Sequence, residues 1–243
     1  MDRGPLQAPV LIEQTGDTLT FTLNRPDAGN EVSGAMFDAM SAALRSEAVE
    51  PTARVLRLRA NGDVFCTGRE RAGRDAVSIR AEVARLIELK RLLRNTSLIS
   101  IAQVQGDALG FGFGLAILCD FTLVASSTRL GFPEMRSGLP PAAIMAYLGR
   151  YALPKAVFPM VLFGDAITPE LAVQAGLVTR VCEPANLHAE ADALAERIFS
   201  LDEAGARQCK AFFLAAQESS VEHNFRSATD MLTVNALRLM QSR

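Results

Sequence analysis

Gln105-Gly106-Asp107-Ala108-Leu109-Gly110-Phe111-Gly112-Phe113-Gly114 lies between an apolar strand pattern, Leu98-Ile99-Ser100-Ile101-Ala102-Gln103-Val104, and an apolar helix candidate, Leu115-Ala116-Ile117-Leu118-Cys119. Glycines at alternate positions strip the backbone where a strand becomes a helix. Such a turn lets a ligand approach bare N–H groups at the positive end of the helix dipole, where negative charge is stabilised. A dinucleotide fingerprint fails on two counts. The third position after Gly112 is Leu115, and the next strand pattern, Phe121-Thr122-Leu123-Val124-Ala125-Ser126, closes on serine instead of an acid. The other reading is an oxyanion hole, which needs a second N–H donor from elsewhere in the chain. Val64-Phe65-Cys66-Thr67-Gly68-Arg69-Glu70 supplies one: it follows the strand pattern Val55-Leu56-Arg57-Leu58-Arg59 and turns on Gly68.

Outward from these two turns, strand and helix patterns alternate. Val10-Leu11-Ile12-Glu13-Gln14 and Thr18-Leu19-Thr20-Phe21-Thr22-Leu23 flank Gly16-Asp17 and predict a β-hairpin. Ser33 caps a helix that carries Met36, Met40, Ala43 and Leu44 on one face. A second helix is expected over 77–93, with Val83, Leu86, Ile87 and Leu93 at helical spacing. Thr168-Pro169-Glu170 opens a further helix, Gly176 closes it, and a strand is expected over 177–181. From Asn186 onward the pattern is helical to the end. The alternation is that of an α/β protein, in which sites collect at the carboxyl ends of strands.

The 243 residues suit one core with a small appended piece, and 25 basic against 27 acidic residues leave no electrostatic footprint of a nucleic-acid binder. Cys66, Cys119, Cys182 and Cys209 lack metal-type spacing and read as reduced thiols of a cytoplasmic protein. The N-terminal Met1-Asp2-Arg3-Gly4-Pro5 has no apolar signal core, and no apolar run approaches the roughly 20 residues that span a bilayer. His188 and His223 stand in polar surroundings of expected C-terminal helices, which argues against a histidine triad or a zinc site. No metal and no cofactor is expected.

Six motifs in register carry a resemblance. They are Asn24-Arg25-Pro26-Asp27-Ala28-Gly29-Asn30, Phe65-Cys66-Thr67-Gly68-Arg69-Glu70, Gly106-Asp107-Ala108-Leu109-Gly110-Phe111-Gly112, Cys119-Asp120, Leu130-Gly131-Phe132-Pro133-Glu134 and Ala175-Gly176-Leu177-Val178. In order and spacing the chain resembles the crotonase superfamily, the enoyl-CoA hydratases and isomerases. The resemblance implies a crotonase-like ββα spiral core over residues 1–185 and a C-terminal helical trimerisation lobe over 186–243. It also implies an acyl-CoA thioester as substrate, coenzyme A being part of that substrate, and a homotrimer or dimer of trimers. One fold hosts many chemistries, so the reaction has to be argued from the residues.

Removing the hydrogen beside a thioester carbonyl, or adding a nucleophile to the conjugated enoyl group, puts negative charge on the carbonyl oxygen. By resemblance the N–H groups of Arg69 and Phe111 hold that charge, and Ala28, Gly68, Glu70 and Gly110 belong to the substrate and CoA site. Relatives usually carry glycine at the place of Phe111; phenylalanine donates equally well if its φ is negative. Glu134, after the rigid Gly131-Phe132-Pro133, matches the hydratase glutamate that handles the C2 hydrogen. Against apolar walls its pKa rises toward neutrality. The other reading of Glu134 is a helix-start acid or an ion pair with Arg136.

By register Gly114 stands where the second hydratase glutamate would be, and Leu139-Pro140-Pro141-Ala142-Ala143 departs from the glycine-rich helix start beside the water site. One remaining glutamate fits double-bond isomerisation, in which a single base takes a proton from C2 and returns it at C4. Hydration with an atypical second acid, Glu70 being one candidate, and acyl-CoA binding without turnover stay open. A serine hydrolase is discounted, because no histidine lies near a motif serine. The arginines of Arg69-Glu70-Arg71-Ala72-Gly73-Arg74-Asp75 read either as phosphate or carboxylate ligands or as a solvated loop. Asp120 reads as structural.

Overall fold

The computed structural model describes residues 8–241; the reading of residues 1–5 as lacking a signal core lies outside them. Strands β1 (Val10–Thr15) and β2 (Thr18–Leu23) form the expected hairpin, with Val10 opposite Leu23 and Thr15 opposite Thr18. Helix α1 (Gly34–Val49) starts at Ser33, whose side chain accepts from the Met36 N–H, a cap worth about 1 kcal/mol. Then come β3 (Val55–Ala60), α2 (Ala76–Asn95), β4 (Ile99–Val104), β5 (Ala108–Leu109), α3 (Phe111–Leu118), β6 (Phe121–Ala125) and β7 (Leu130–Gly131). They are followed by α4 (Ala142–Leu148), α5 (Pro154–Phe163), α6 (Pro169–Gln174), β8 (Arg180–Cys182), α7 (Leu187–Phe199), α8 (Glu203–Ala216) and α9 (Val221–Gln241).

The main sheet runs β1-β2-β3-β4-β6-β8, parallel except for the first hairpin, and β5 pairs with β7 in a small second sheet. Alternate residues of the central strands serve opposite faces, as the pleat requires. Leu56, Ala102 and Val124 pack under α1, α2 and α3, whereas Val55, Ile101 and Leu123 meet Leu187, Ala191, Ala195 and Ile198 of α7. So α7, although C-terminal in the chain, closes the second face of the sheet. Helix α8 is pinned by Lys210, whose Nζ donates to the Leu98 carbonyl at 2.6 Å and to Asp120 at 2.7 Å. Asp120 also accepts from the Ser100 N–H and hydroxyl, which is the structural role expected of it.

Three boundaries differ from the sequence pattern. Helix α3 begins at Phe111 instead of near Leu115, because the Gly114 N–H already bonds the Gly110 carbonyl at 3.0 Å. Every residue of α3 is buried, so packing overrides the low helix propensity of Gly112 and Gly114. The turn therefore does not follow β4 directly; β5 intervenes. Strand β8 is shorter than 177–181, since Leu177 is used to close α6, its N–H bonding the Ala172 carbonyl after Gly176 at φ 81°. The C-terminal helical stretch breaks at 200–202 and 217–220.

Candidate functional site

Short backbone bonds clamp the two glycine turns together. The Leu109 N–H donates to the Cys66 carbonyl at 2.9 Å, and the N–H groups of Phe65 and Cys66 both donate to the Asp107 carbonyl at 3.1 Å. Asn30, fully buried, holds the neighbouring loop. Its Oδ1 accepts from the Arg25 N–H at 2.7 Å, and its Nδ2 donates to the carbonyls of Val64 (2.7 Å) and Asn61 (2.9 Å). The motif around Asn24–Asn30 is thus scaffolding for the Gly68 turn.

That scaffold aims two amides. Val32 bridges the loop by donating to the Gly68 carbonyl at 3.2 Å and accepting from the Glu70 N–H at 3.1 Å. A parallel bridge of this kind uses the groups on either side of Arg69 and turns Arg69's own N–H to the opposite side. Phe111 is the first residue of α3, so its N–H has no partner inside the helix. Among the described residues neither amide has an acceptor. The φ of Phe111 is negative, Asn30 being the one non-glycine with positive φ among the described residues. Phenylalanine therefore sits at this position without strain, its ring edge-on to Phe37 with centroids 5.3 Å apart.

Both residues line a cavity of about 570 Å³ together with Gly68, Gly110 and Glu134. Ala28 and Glu70 are not in its wall. Ala28 is exposed in a short 3-10 turn, and Glu70 forms an ion pair with Arg25 at 2.5 Å. The Arg69 guanidinium is paired with Glu82, whose carboxylate also accepts from the N–H groups of Ala72 (3.0 Å) and Gly73 (2.9 Å). Glu82, a residue the sequence pattern did not single out, therefore fastens the arginine-rich loop. Arg71 reaches the cavity wall.

Glu134 sits in a 3-10 turn, Pro133–Ser137, over the start of α3. A Cβ at Gly110 would lie 2.7 Å from its Oε1, and Gly110 itself has φ 52° and ψ −117°. Glycine is required there on both grounds. Arg136 pairs instead with Asp165 at 2.8 Å, which removes the ion-pair reading of Glu134. The Glu134 Oε2 is buried without a hydrogen-bond partner. Burial holds the carboxyl above the usual carboxylate range, partly offset by its own backbone N–H and by the charges of Lys90 and Arg71. A carboxyl whose charged form is disfavoured by burial is a better proton donor and acceptor partner for a carbon acid than one in water.

One turn further along α3 the structure shows a group that sequence reasoning missed. A Cβ at Gly114 would lie 2.8 Å from Lys90 Nζ and 2.7 Å from the Tyr147 hydroxyl. Lys90, 5 % exposed, reaches in from α2 and donates to Tyr147 Oη at 2.8 Å, while Tyr147 donates to the Gly114 carbonyl at 2.8 Å. The ammonium lies 5.1 Å from the Phe111 ring centroid and 4.8 Å from that of Tyr147. Burial pushes Lys90 down to about 7, with the Glu134 charge opposing. Its signal was present: Lys90 follows Leu86 by four residues and precedes Leu93 by three, so it lies on the apolar stripe of α2. No cluster of three or more metal-ligating side chains occurs among the described residues, and no helix there is long and apolar enough to cross a membrane.

A family model described as enoyl-CoA hydratase/isomerase matches residues 13–238. The 2,3-dehydroadipyl-CoA hydratase of Escherichia coli is 31% identical over 180 residues, 71% of this chain and 68% of that one. The crotonyl-CoA hydratase of Syntrophomonas wolfei is 29% identical over 211 residues, 83% of this chain and 80% of its own. Among solved structures, an enoyl-CoA hydratase of Mycobacterium smegmatis superimposes with a TM-score of 0.90 at 27% identity, covering 94% of this chain and 91% of the other.

Proposed function

The chain belongs to the enoyl-CoA hydratase/isomerase family, and from that premise we propose that it moves a proton at C2 of an enoyl-CoA thioester through a stabilised enolate. The observation that carries this reading is the convergence of two unpaired amides, Arg69 and Phe111, and one buried carboxyl, Glu134, on the same cavity. The thioester oxygen lies between the two N–H groups. Each such donor typically contributes roughly 3 kcal/mol to the charged state. Glu134 takes the proton from C2, and the electron pair runs into the carbonyl.

For double-bond isomerisation nothing more is needed: the protonated Glu134 returns its proton at C4. Gly114 offers no carboxylate, which favours this reaction. A second reading, hydration of a 2-enoyl-CoA, is favoured by the amine that fills the space over Gly114. Supplying the protein with a 3-enoyl-CoA in deuterated water tests the proposal. The expected result is the conjugated 2-enoyl isomer, read by its thioester-enoyl absorbance, with deuterium entering at C2 and C4. No conversion and no deuterium uptake across short and medium acyl chains would remove the reading.

A further inference from the structure

Glu134 lies against the N-cap of α3 and Lys90 against its first turn. Gly110 faces the carboxyl and Gly114 faces the amine, and these two glycines are four residues apart, joined by the Gly114 N–H to Gly110 carbonyl bond. Gly110 is the non-helical cap of α3, with φ 52° and ψ −117°, and Gly114 stands in the first turn that follows. Side chains at either position would collide with the polar group above it. The two bare positions thus each seat one titratable group, and both groups line the cavity.

Lys90 has none of the usual arrangements of a structural buried lysine. Lys210 in α8 shows that arrangement, with a carboxylate at 2.7 Å and a carbonyl at 2.6 Å. Lys90 has one hydrogen bond, to a tyrosine oxygen whose own proton is committed to the Gly114 carbonyl. Its other contacts are two aromatic faces. Two of its three N–H positions have no acceptor among the described residues. Tyr147 therefore orients Lys90 without neutralising it, and among the described residues Glu134 is the one carboxylate whose charge acts on it.

We propose that Lys90, seated by Tyr147, is a second proton-transfer group of the site, acting on water that adds at C3 of a 2-enoyl-CoA. This rests on the enolate reading above and extends it to a hydration activity run by an amine and a carboxyl instead of two carboxyls. The neutral Lys90 amine takes a proton from water as the water oxygen bonds to C3. The C2–C3 π pair moves to C2, held as the enolate by the Arg69 and Phe111 amides, and the protonated Glu134 delivers its proton to C2. The product is the 3-hydroxyacyl-CoA. The ammonium and carboxylate left behind exchange one proton through solvent, so the cycle closes without a further reactant. The titratable groups facing Lys90 are Glu134 from the 133–137 turn and Tyr147 from α4, with the Phe111 ring on α3 and the Arg71 charge near Glu134.

The test compares two reactions of the same protein: loss of the conjugated absorbance of crotonyl-CoA, which reports hydration, and isomerisation of a 3-enoyl-CoA, which needs Glu134 alone. In Lys90→Met hydration is expected to fall by about 100-fold or more, the usual contribution of a general base, and at least tenfold further than isomerisation. Lys90→Arg, which keeps a long cationic side chain but cannot give up its proton to act as a base, is expected to lose hydration to a similar degree, whereas Tyr147→Phe keeps the amine and loses less. Circular dichroism establishes that each variant is folded. Equal loss of both reactions in the folded variants, or full hydration by Lys90→Arg, would overturn the assignment. A wild-type protein that isomerises but does not hydrate would overturn it too, with the enolate reading intact. A protein that does neither would overturn the enolate reading itself.

Discussion

A methyl group added at Gly110 tests whether Glu134 acts from its place above the start of α3. The Cβ of Gly110→Ala would stand 2.7 Å from Glu134 Oε1, where ordinary contact begins near 3.4 Å. The carboxyl must therefore retreat by about 0.7 Å. The backbone contributes separately: φ 52° with ψ −117° is a conformation that L side chains rarely adopt, at a cost of about 1–3 kcal/mol. Stiffening of the unfolded chain offsets less than about 1 kcal/mol of this. For a chain of this size, at about 2–4 °C per kcal/mol, the net loss lowers Tm by up to roughly 12 °C. Misplacement of a reacting group by about 1 Å costs up to about 100-fold in rate, so C2 proton transfer should fall by about 10–100-fold. Thermal unfolding and deuterium incorporation at C2 read the two effects separately. A variant with lowered Tm that exchanges the C2 hydrogen at the wild-type rate would show that the carboxyl does not work from this position.

Asp120→Ala leaves the Lys210 ammonium, 6% exposed, without its carboxylate, and urea unfolding should show a loss of about 3 kcal/mol that Lys210→Met largely restores. Stability should rise with pH above about 7, because folded Lys90 releases its proton near 7 while the unfolded chain holds it to about 10.5. The unfolded state then binds more protons through that window, so the slope is positive, and Lys90→Met should flatten it in denaturation measured at successive pH values. Helix α9 has no buried residue and exposes Phe225, Leu232, Val234, Leu237 and Leu239. Covering this face by association into a trimer or a dimer of trimers is expected, and light scattering that reports a monomer at micromolar concentration would refute it.

The parts of the site that were legible in the sequence are those whose signal is local. Gly68 and Gly110 mark turns by themselves, Ser33 marks a helix start, and the position of Glu134 after Gly131-Phe132-Pro133 follows from register. What local pattern could not show is which side chains fill a space left by another element. Gly114 reads as a missing carboxylate in one dimension, and in three dimensions it is the floor under an amine from α2 and a hydroxyl from α4. Glu70 illustrates the same limit in reverse: adjacent in sequence to the Gly68 turn, it pairs with Arg25 and is not in the cavity wall. The helix boundary at Phe111 was missed because burial on all sides sustains a helix that glycines at 112 and 114 would not sustain alone. Lys90 was discoverable, since a single lysine on an apolar helix face has to be paired or used.

Proton transfer at C2 depends most directly on Glu134. The decisive measurement is deuterium entry at C2 of an acyl-CoA in deuterated water, made on Glu134→Gln alongside acyl-CoA affinity by calorimetry. Glutamine keeps the shape of the side chain and loses the base, so exchange should disappear while affinity stays within a few-fold. Exchange at the wild-type rate by the folded variant would contradict the account.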